Sequence, residues 1–189
     1  MFIRSERLFL RPVWPEDWEE LYPLIADEAI VQNLASAPWP YTEQDAREFC
    51  KRGQDPRLPG FAVTLPGADG SRIVGQCGLG DHDGQVELGY WIAREHWGKG
   101  YASEAARAVL CVAKALGYSR IHAGHFADNP ASGRVLRKAG FLPTGRNRRR
   151  FSLARGCEVA SVEYVADLDR LCGGDKDGGG NGSFDRMAA

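Results

Sequence analysis

Gly98 and Gly100 stand two residues apart between an apolar, aromatic run, Val86 to Ile92, and a stretch from about Tyr101 whose apolar residues recur at helical spacing: Ala102, Ala105, Ala106, Val109, Ala113 and Leu116. A strand, a glycine turn and a helix in that order aim several backbone N–H groups and the positive end of a helix dipole at one point, and that point favours an anion. Glycine supplies the turn because a Cβ would block the backbone conformations and close approaches it needs. The chemistry implied is a phosphate cradle. A Walker-type loop needs glycine at 93 and Ser or Thr at 100, where the chain has Ala93 and Gly100. A dinucleotide fingerprint needs a third glycine at 103 and an acid about twenty residues on, where Ser103 and the segment Gly117 to Arg120 supply neither.

The stretch Glu95 to Ala105, EHWGKGYASEA, resembles the acyl-CoA pyrophosphate loop of the GNAT superfamily of N-acetyltransferases, and within it the RimJ/RimL-like branch of ribosomal-protein N-terminal acetyltransferases. Gly98 and Gly100 match the superfamily pattern Q/R-x-x-G-x-G/A, while Glu95 departs from its first position. The resemblance implies acetyl-CoA as co-substrate, with Trp97, Gly98, Lys99, Gly100, Tyr101, Ala102 and Ser103 among the residues that hold it. A second stretch, Asp128 to Phe141, DNPASGRVLRKAGF, resembles the superfamily's N-x-x-S-x-x-V-x-x-K-x-G-F helix. It implies Asn129 beside the pantetheine arm and Ser132 near the cofactor sulfur, where a hydroxyl can donate to the departing thiolate. Read without the resemblance, Asn129 and Ser132 cap and line a helix start. Many superfamily members carry a tyrosine general acid seven residues after the asparagine; Leu136 occupies that position and excludes it. The opening segments ERLFLRP, WPEDWEEL and PWPYTEQDAREF resemble the branch too, and imply one wall of an acceptor site.

Acetyl transfer from a thioester to an amine requires a neutral amine, a polarised carbonyl and a stabilised leaving thiolate. A covalent nucleophile is not required, and neither Cys111, in mid-helix, nor Cys77, in a strand, has a histidine nearby in sequence. The resemblance implies backbone N–H groups at the splayed end of the central strand, and Ile92 lies closest to the loop. It also offers Glu87 as the group that removes the amine proton; strand alternation puts Glu87 on one face with Gly89 and Trp91. The alternative for Glu87 is a solvent-facing or salt-bridged side chain. Freeing a lysine-like amine of pKa about 10.4 at pH 7 costs roughly 4 to 5 kcal/mol, and an α-amine near 7.7 to 8.0 only about 1. An α-amino acceptor needs only a weak base.

His122 and His125, three apart on a strand, fall on opposite faces, so no metal site is expected. His82 and His96 fall in turns and are expected to be solvated. The basic run Arg146, Asn147, Arg148, Arg149, Arg150 lacks interleaved aromatics and reads as a solvated face rather than a nucleic-acid contact.

The elements that must position these residues follow in order. Leu8 to Val13 reads as a strand, and Pro15 starts a helix through Ile25. SAPWPY is a loop, and Thr42 caps a helix from Glu43 to Lys51 with Asp45 at the capping-box position. Phe61 to Leu65, Ile73 to Leu79 and Val86 to Ile92, separated by PGADG and GDHDG, form an antiparallel meander. After the central helix, Arg120 to Phe126 arrives by a helical crossover and runs parallel to Val86 to Ile92. Asn129 caps a helix that Gly140 ends, and Phe141 to Leu153 and Glu158 to Val165 form a hairpin. The expectation is an α/β fold of the α+β kind, the GNAT fold. It has a mixed central sheet of about seven strands, the meander first, one parallel splayed pair and about four helices.

With 189 residues, 43% hydrophobic and 26% charged, the chain suits one domain, expected over residues 1–170. The Gly-rich segment 171–189 has little to bury and is expected to be disordered. A net charge of −1 gives no global pull toward nucleic acid or an anionic membrane. Five cysteines without CxxC spacing read as reduced thiols. No apolar run reaches a membrane span, and the N-terminal charges do not fit a signal peptide, so a cytoplasmic protein, monomer or homodimer, is expected. The acceptor is a peptide N-terminus or a small amine such as an amino acid, polyamine or antibiotic. A non-catalytic acyl-CoA-binding module and an NAD-binding domain are the rival readings.

Overall fold

The computed structural model describes residues 1–68 and 70–171; of the segment expected to be disordered, all but residue 171 lies outside the described residues. Among the described residues eight strands form one sheet: β1 (Ile3–Arg4), β2 (Phe9–Pro12), β3 (Gly60–Gly67), β4 (Gly70–His82), β5 (Gln85–Ile92), β6 (Arg120–Phe126), β7 (Leu142–Ser152) and β8 (Cys157–Asp167). Their order is β1-β2-β3-β4-β5-β6-β8-β7. Every neighbouring pair is antiparallel except β5 and β6. The α-helices are α1 (Trp18–Ile25), α2 (Glu28–Val31), α3 (Glu43–Lys51), α4 (Tyr101–Ala115), α5 (Pro130–Ala139) and α6 (Leu168–Leu171).

The class is the expected one, with one strand and two helices more. The additions are the two-residue β1 and the single-turn helices α2 and α6, all too short for a periodic pattern to announce them. Residues Pro15–Asp17 form a 3₁₀ turn, and the α-helix begins only at Trp18. Thr42 caps α3 and Asp45 returns the bond to the Thr42 N–H at 2.8 Å, a complete capping box. Asp83 and Gly84 both take positive φ between His82 and its partner Gln85, the conformation of a two-residue hairpin turn whose twist suits its strands.

Two cores flank the sheet. On one face Leu8, Leu10, Phe61, Val63 and Leu88 meet Ala105, Ala106 and Val109 of α4 and Leu136 of α5. On the other, Trp91 and Ala93 pack with Leu21, Ile25, Val31, Tyr41 and Ala46. The β5 strand thus carries its even positions to α4 and Trp91 to α1–α3. Its only bridge to β6 is Glu87 to His122, so beyond Glu87 the two strands part. The gap between them holds the candidate site.

Candidate active site

The end of β5, the glycine turn, the first turn of α4 and one side of α5 enclose a cleft of about 500 Å³. Gly98 has φ +76° and Gly100 φ +84°, a region an L side chain rarely adopts, and Gly100 is the N-cap of α4 with no side-chain cap. The first bond of the helical ladder runs from the Glu104 N–H to the Gly100 carbonyl at 3.1 Å. The amides of Tyr101, Ala102 and Ser103 therefore lie ahead of that ladder and face the turn. The lining includes Arg134 and Lys138 and no carboxylate, so charge and dipole both favour an anion.

Arg7 braces this turn from outside. It donates through Nη1 to the Lys99 carbonyl at 3.0 Å and lies 4.8 Å from the Tyr101 ring centre. Its Nε donates to Glu104 at 2.8 Å, while its backbone N–H and the Ser5 hydroxyl each donate to the other Glu104 oxygen at 2.7 Å. Burial works to raise the Glu104 pKa, but these donors outweigh it and hold the carboxyl below its usual range.

Of the residues expected to hold a cofactor, Ile92, Trp97, Gly98, Gly100, Tyr101, Ala102, Ser103 and Asn129 line the cleft, whereas Lys99 does not. The Ile92 carbonyl accepts from Trp97 Nε1 at 2.6 Å, which fixes the indole beside the strand end. Asn129 Oδ1 accepts from the Ser132 N–H at 3.2 Å, so Asn129 is a helix cap as well as part of the wall. His96 is not solvated as expected. Its side chain is 18% exposed, it lines the cleft, and its Nδ1 is buried without a partner among the described residues. His82 lies at the end of β4 rather than in a turn, and is 45% exposed.

A second cleft of about 320 Å³ opens on the Trp91 face of β5, walled by Tyr41, Asp45, Glu48 and Phe49 on one side and by Glu87, Gly124 and Arg150 on the other. Burial, with the Asp45 charge adding to it, pushes the Tyr41 phenol up to about 12. The two clefts share Asn33, Leu34, Tyr90, Trp91 and Ser132. At that junction the Tyr90 and Ser132 hydroxyl oxygens lie 2.6 Å apart. Burial first of all, only partly opposed by the Ser132 contact, drives the Tyr90 pKa well above the usual phenol value.

Sequence reasoning missed Tyr90. It looked for a phenol on α5, where Leu136 is fully buried, while β5 brings one from the opposite side. The available signal was alternation, which places Tyr90 on the α4 face of β5 at the strand's splayed end. Glu87 is salt-bridged to Arg150 at 2.8 Å, as one of its two expected readings has it, and it also lines the second cleft. The basic run is the solvated face expected of it from Arg146 to Arg149, and departs from that reading at Arg150. Arg148 pairs with Glu163 and Asp83, Arg149 pairs with Glu158, and Arg150 turns inward.

Cys77 is fully buried, and burial drives its thiol pKa up, so it offers no reachable nucleophile. Among the described residues no three His, Cys, Asp or Glu side chains are grouped to hold a metal ion, and no helix is long and apolar enough to cross a membrane.

Residues 7–142 match the acetyltransferase (GNAT) domain family. A Bacillus subtilis relative, the uncharacterized N-acetyltransferase YoaA, is 31% identical over 150 residues, which cover 76% of this chain and 84% of that one. The crystal structure of a GNAT-family acetyltransferase from Bacillus anthracis has TM-score 0.76 at 27% identity, covering 89% of this chain and 99% of that one. RimL, an alpha-N-protein acetyltransferase of a ribosomal protein solved in complex with coenzyme A, has TM-score 0.72 at 19% identity over 89% of this chain and 99% of its own, a likeness of fold. The sequence match and the splayed β5–β6 pair agree: the chain belongs to the GNAT family of acetyltransferases.

Proposed function

We propose that this enzyme moves an acetyl group from acetyl-CoA directly to the α-amine of a peptide or protein N-terminus, both substrates being bound at once. The observation that carries this reading is the meeting of two clefts at one hydroxyl pair, Tyr90 and Ser132. A cleft with an uncapped helix start, two cations and no carboxylate fits a pyrophosphate-bearing acyl carrier. A Cβ at Gly98 would meet nothing within 4 Å, so the space above the turn is open. Acetyl-CoA supplies the activated thioester.

In this reading the amides from Gly98 to Ser103, with Trp97 beside them, hold the pyrophosphate, and Asn129 flanks the pantetheine arm. The end of β5 at Ile92 presents backbone to the thioester region. Ser132 donates its proton toward the leaving sulfur while the Tyr90 O–H donates to Ser132 Oγ, so the negative charge that develops on the serine oxygen is met by a second donor. Tyr90 also has the Ser132 carbonyl at 3.2 Å; the relay requires the phenol proton to point to Oγ instead. Glu87 takes the amine proton from the second cleft. An α-amine asks little of a base, about 1 kcal/mol at pH 7, which suits a carboxylate already engaged by Arg150. The exposed rim at Ser36, Glu48 and Arg52 leaves room for a chain to run out of that cleft.

The test is acetyl-CoA turnover, followed by free thiol, on N-terminal peptides and on small amines, with Ser132→Ala beside the wild type. Turnover on peptides that collapses in Ser132→Ala is the expected result. Turnover on small amines alone would overturn the N-terminal assignment, and binding of coenzyme A without turnover on either panel would overturn catalysis altogether.

A further inference from the structure

Arg150 meets Glu87 end-on. A single guanidinium nitrogen, Nη2, donates to both carboxylate oxygens, at 2.9 and 2.8 Å. The remaining nitrogens, Nε and Nη1, have no acceptor among the described residues, although an Arg fork carries five donors in a fixed plane. Both side chains are 18% exposed and both line the second cleft.

The pair is not an ordinary cross-strand bridge. Arg149 and Glu158 lie on adjacent strands, as do Arg148 and Glu163. Glu87 on β5 and Arg150 on β7 instead face each other across two intervening strands, β6 and β8. They meet over Gly124, where a Cβ would touch Glu87 Oε1 at 3.5 Å and Arg150 Nη1 at 3.6 Å and press on Ser161 Oγ at 3.2 Å. An exposed strand could satisfy its arginines with neighbours, and it does so at the two preceding positions. Arg150 reaches inward, and ends with spare donors over the cleft floor.

We propose that Arg150 determines acceptor specificity by donating its spare N–H groups to the carbonyl oxygen of the acceptor's first residue while Glu87 faces the α-amine. An N-terminal residue carries amine and carbonyl on the same carbon, so adjacent negative and positive groups read both at once. A simple alkylamine satisfies only Glu87. A carboxylate left alone in a cleft would carry a desolvation cost, and Arg150 offsets it before the acceptor arrives. The inference rests on the second cleft being the acceptor side, as read above.

The experiment measures kcat/KM of the full chain for alaninamide, which has the carbonyl, and alaninol, which replaces it with a hydroxymethyl group. Each value is corrected to the concentration of neutral amine, and wild type is compared with Arg150→Lys and Arg150→Gln. The wild type is expected to favour alaninamide at least tenfold. The ratio is expected to fall roughly tenfold to a hundredfold in Arg150→Gln, the range of one hydrogen bond to a charged group, and part of the way in Arg150→Lys, which keeps the charge without the fork. A wild-type ratio near one overturns the inference while leaving the acetyltransferase reading intact. So does an equal loss on both acceptors, which would mean that Arg150 acts only by holding Glu87. Should Arg150→Gln fail to fold, the wild-type ratio and Arg150→Lys decide. Turnover of alkylamines with none of peptides or alaninamide would sink the N-terminal reading first, a distinct outcome.

Discussion

Tyr90 Oη lies 2.6 Å from Ser132 Oγ, the first hydroxyl from the splayed strand β5 and the second from the first turn of α5. Neither element contacts this point without the other: β5 parts from β6 just where α5 must supply the facing group. Because burial keeps the phenol protonated far above neutral pH, Tyr90 remains a donor across the working range. Tyr90→Phe is expected to lower kcat about tenfold to a hundredfold, the effect of a lost donor to a developing charge, with the dissociation constant of coenzyme A unchanged within about twofold. Single-turnover kinetics and calorimetry check the two halves separately. Equal kcat in Tyr90→Phe and wild type would reduce the contact to packing.

Gly98→Ala separates strain from ligand contact. Its φ of +76° costs an alanine about 1 to 2 kcal/mol, yet the new methyl meets nothing within 4 Å in the free protein. For a chain of this size the melting temperature is expected to drop roughly 2 to 8 °C. Affinity for coenzyme A is expected to fall at least tenfold as well, because the methyl occupies the open space above the turn. A lower melting temperature with unaltered affinity would show that the phosphates bind elsewhere.

The parts of the site that were legible in the sequence are those encoded locally. Gly98, Gly100, Asn129 and Pro130 act within a few residues of themselves, so spacing alone placed the turn and both helix starts. Tyr90 and Arg150 were not legible, because what each does depends on partners far away in the chain. Arg150 meets a residue 63 positions away and Tyr90 one 42 positions away. A basic run on an edge strand gives no local sign that one of its arginines turns inward over a glycine two strands away. His96 differs from its expectation for another reason: its turn is exposed, but the ring lies beside Tyr101, 6.1 Å between ring centres.

Gly133→Ala reverses an ordinary expectation. In a helix interior the change stabilises by about 0.5 to 1 kcal/mol. Here a Cβ would stand 2.6 Å from His125 Nε2 and 3.0 Å from the Tyr164 hydroxyl, and Tyr164 is fully buried. Overpacking of this kind costs about 1 to 3 kcal/mol, and relief requires α5 to lift beside Ser132. Denaturant melts are expected to show net destabilisation, and steady-state assays a lower kcat. A stabilised variant would mean that His125 swings away freely.

Glu104 links stability to the Gly98–Gly100 turn through Arg7, and its pH dependence has a definite sign. The folded carboxyl titrates below its unfolded value of about 4.3, because the Arg7 N–H, the Ser5 hydroxyl and the Arg7 guanidinium outweigh the burial that opposes them. A depressed carboxylate contributes stability that is present above the unfolded pKa and is lost as pH falls through the folded one. Glu104→Gln keeps the shape and removes the charge, at an expected cost of about 1 to 3 kcal/mol at pH 7. The difference between wild type and variant in urea unfolding should therefore be largest near neutrality and shrink below about pH 4. In Glu104→Gln, Arg7 loses its charged anchor, and the Lys99 carbonyl and Tyr101 ring that it braces loosen with it. Coenzyme A affinity at pH 7 is thus expected to weaken severalfold, although Glu104 lies outside the residues that line the cleft. A stability difference that stays constant or grows toward acid would show that Glu104 is held by packing rather than by its charge.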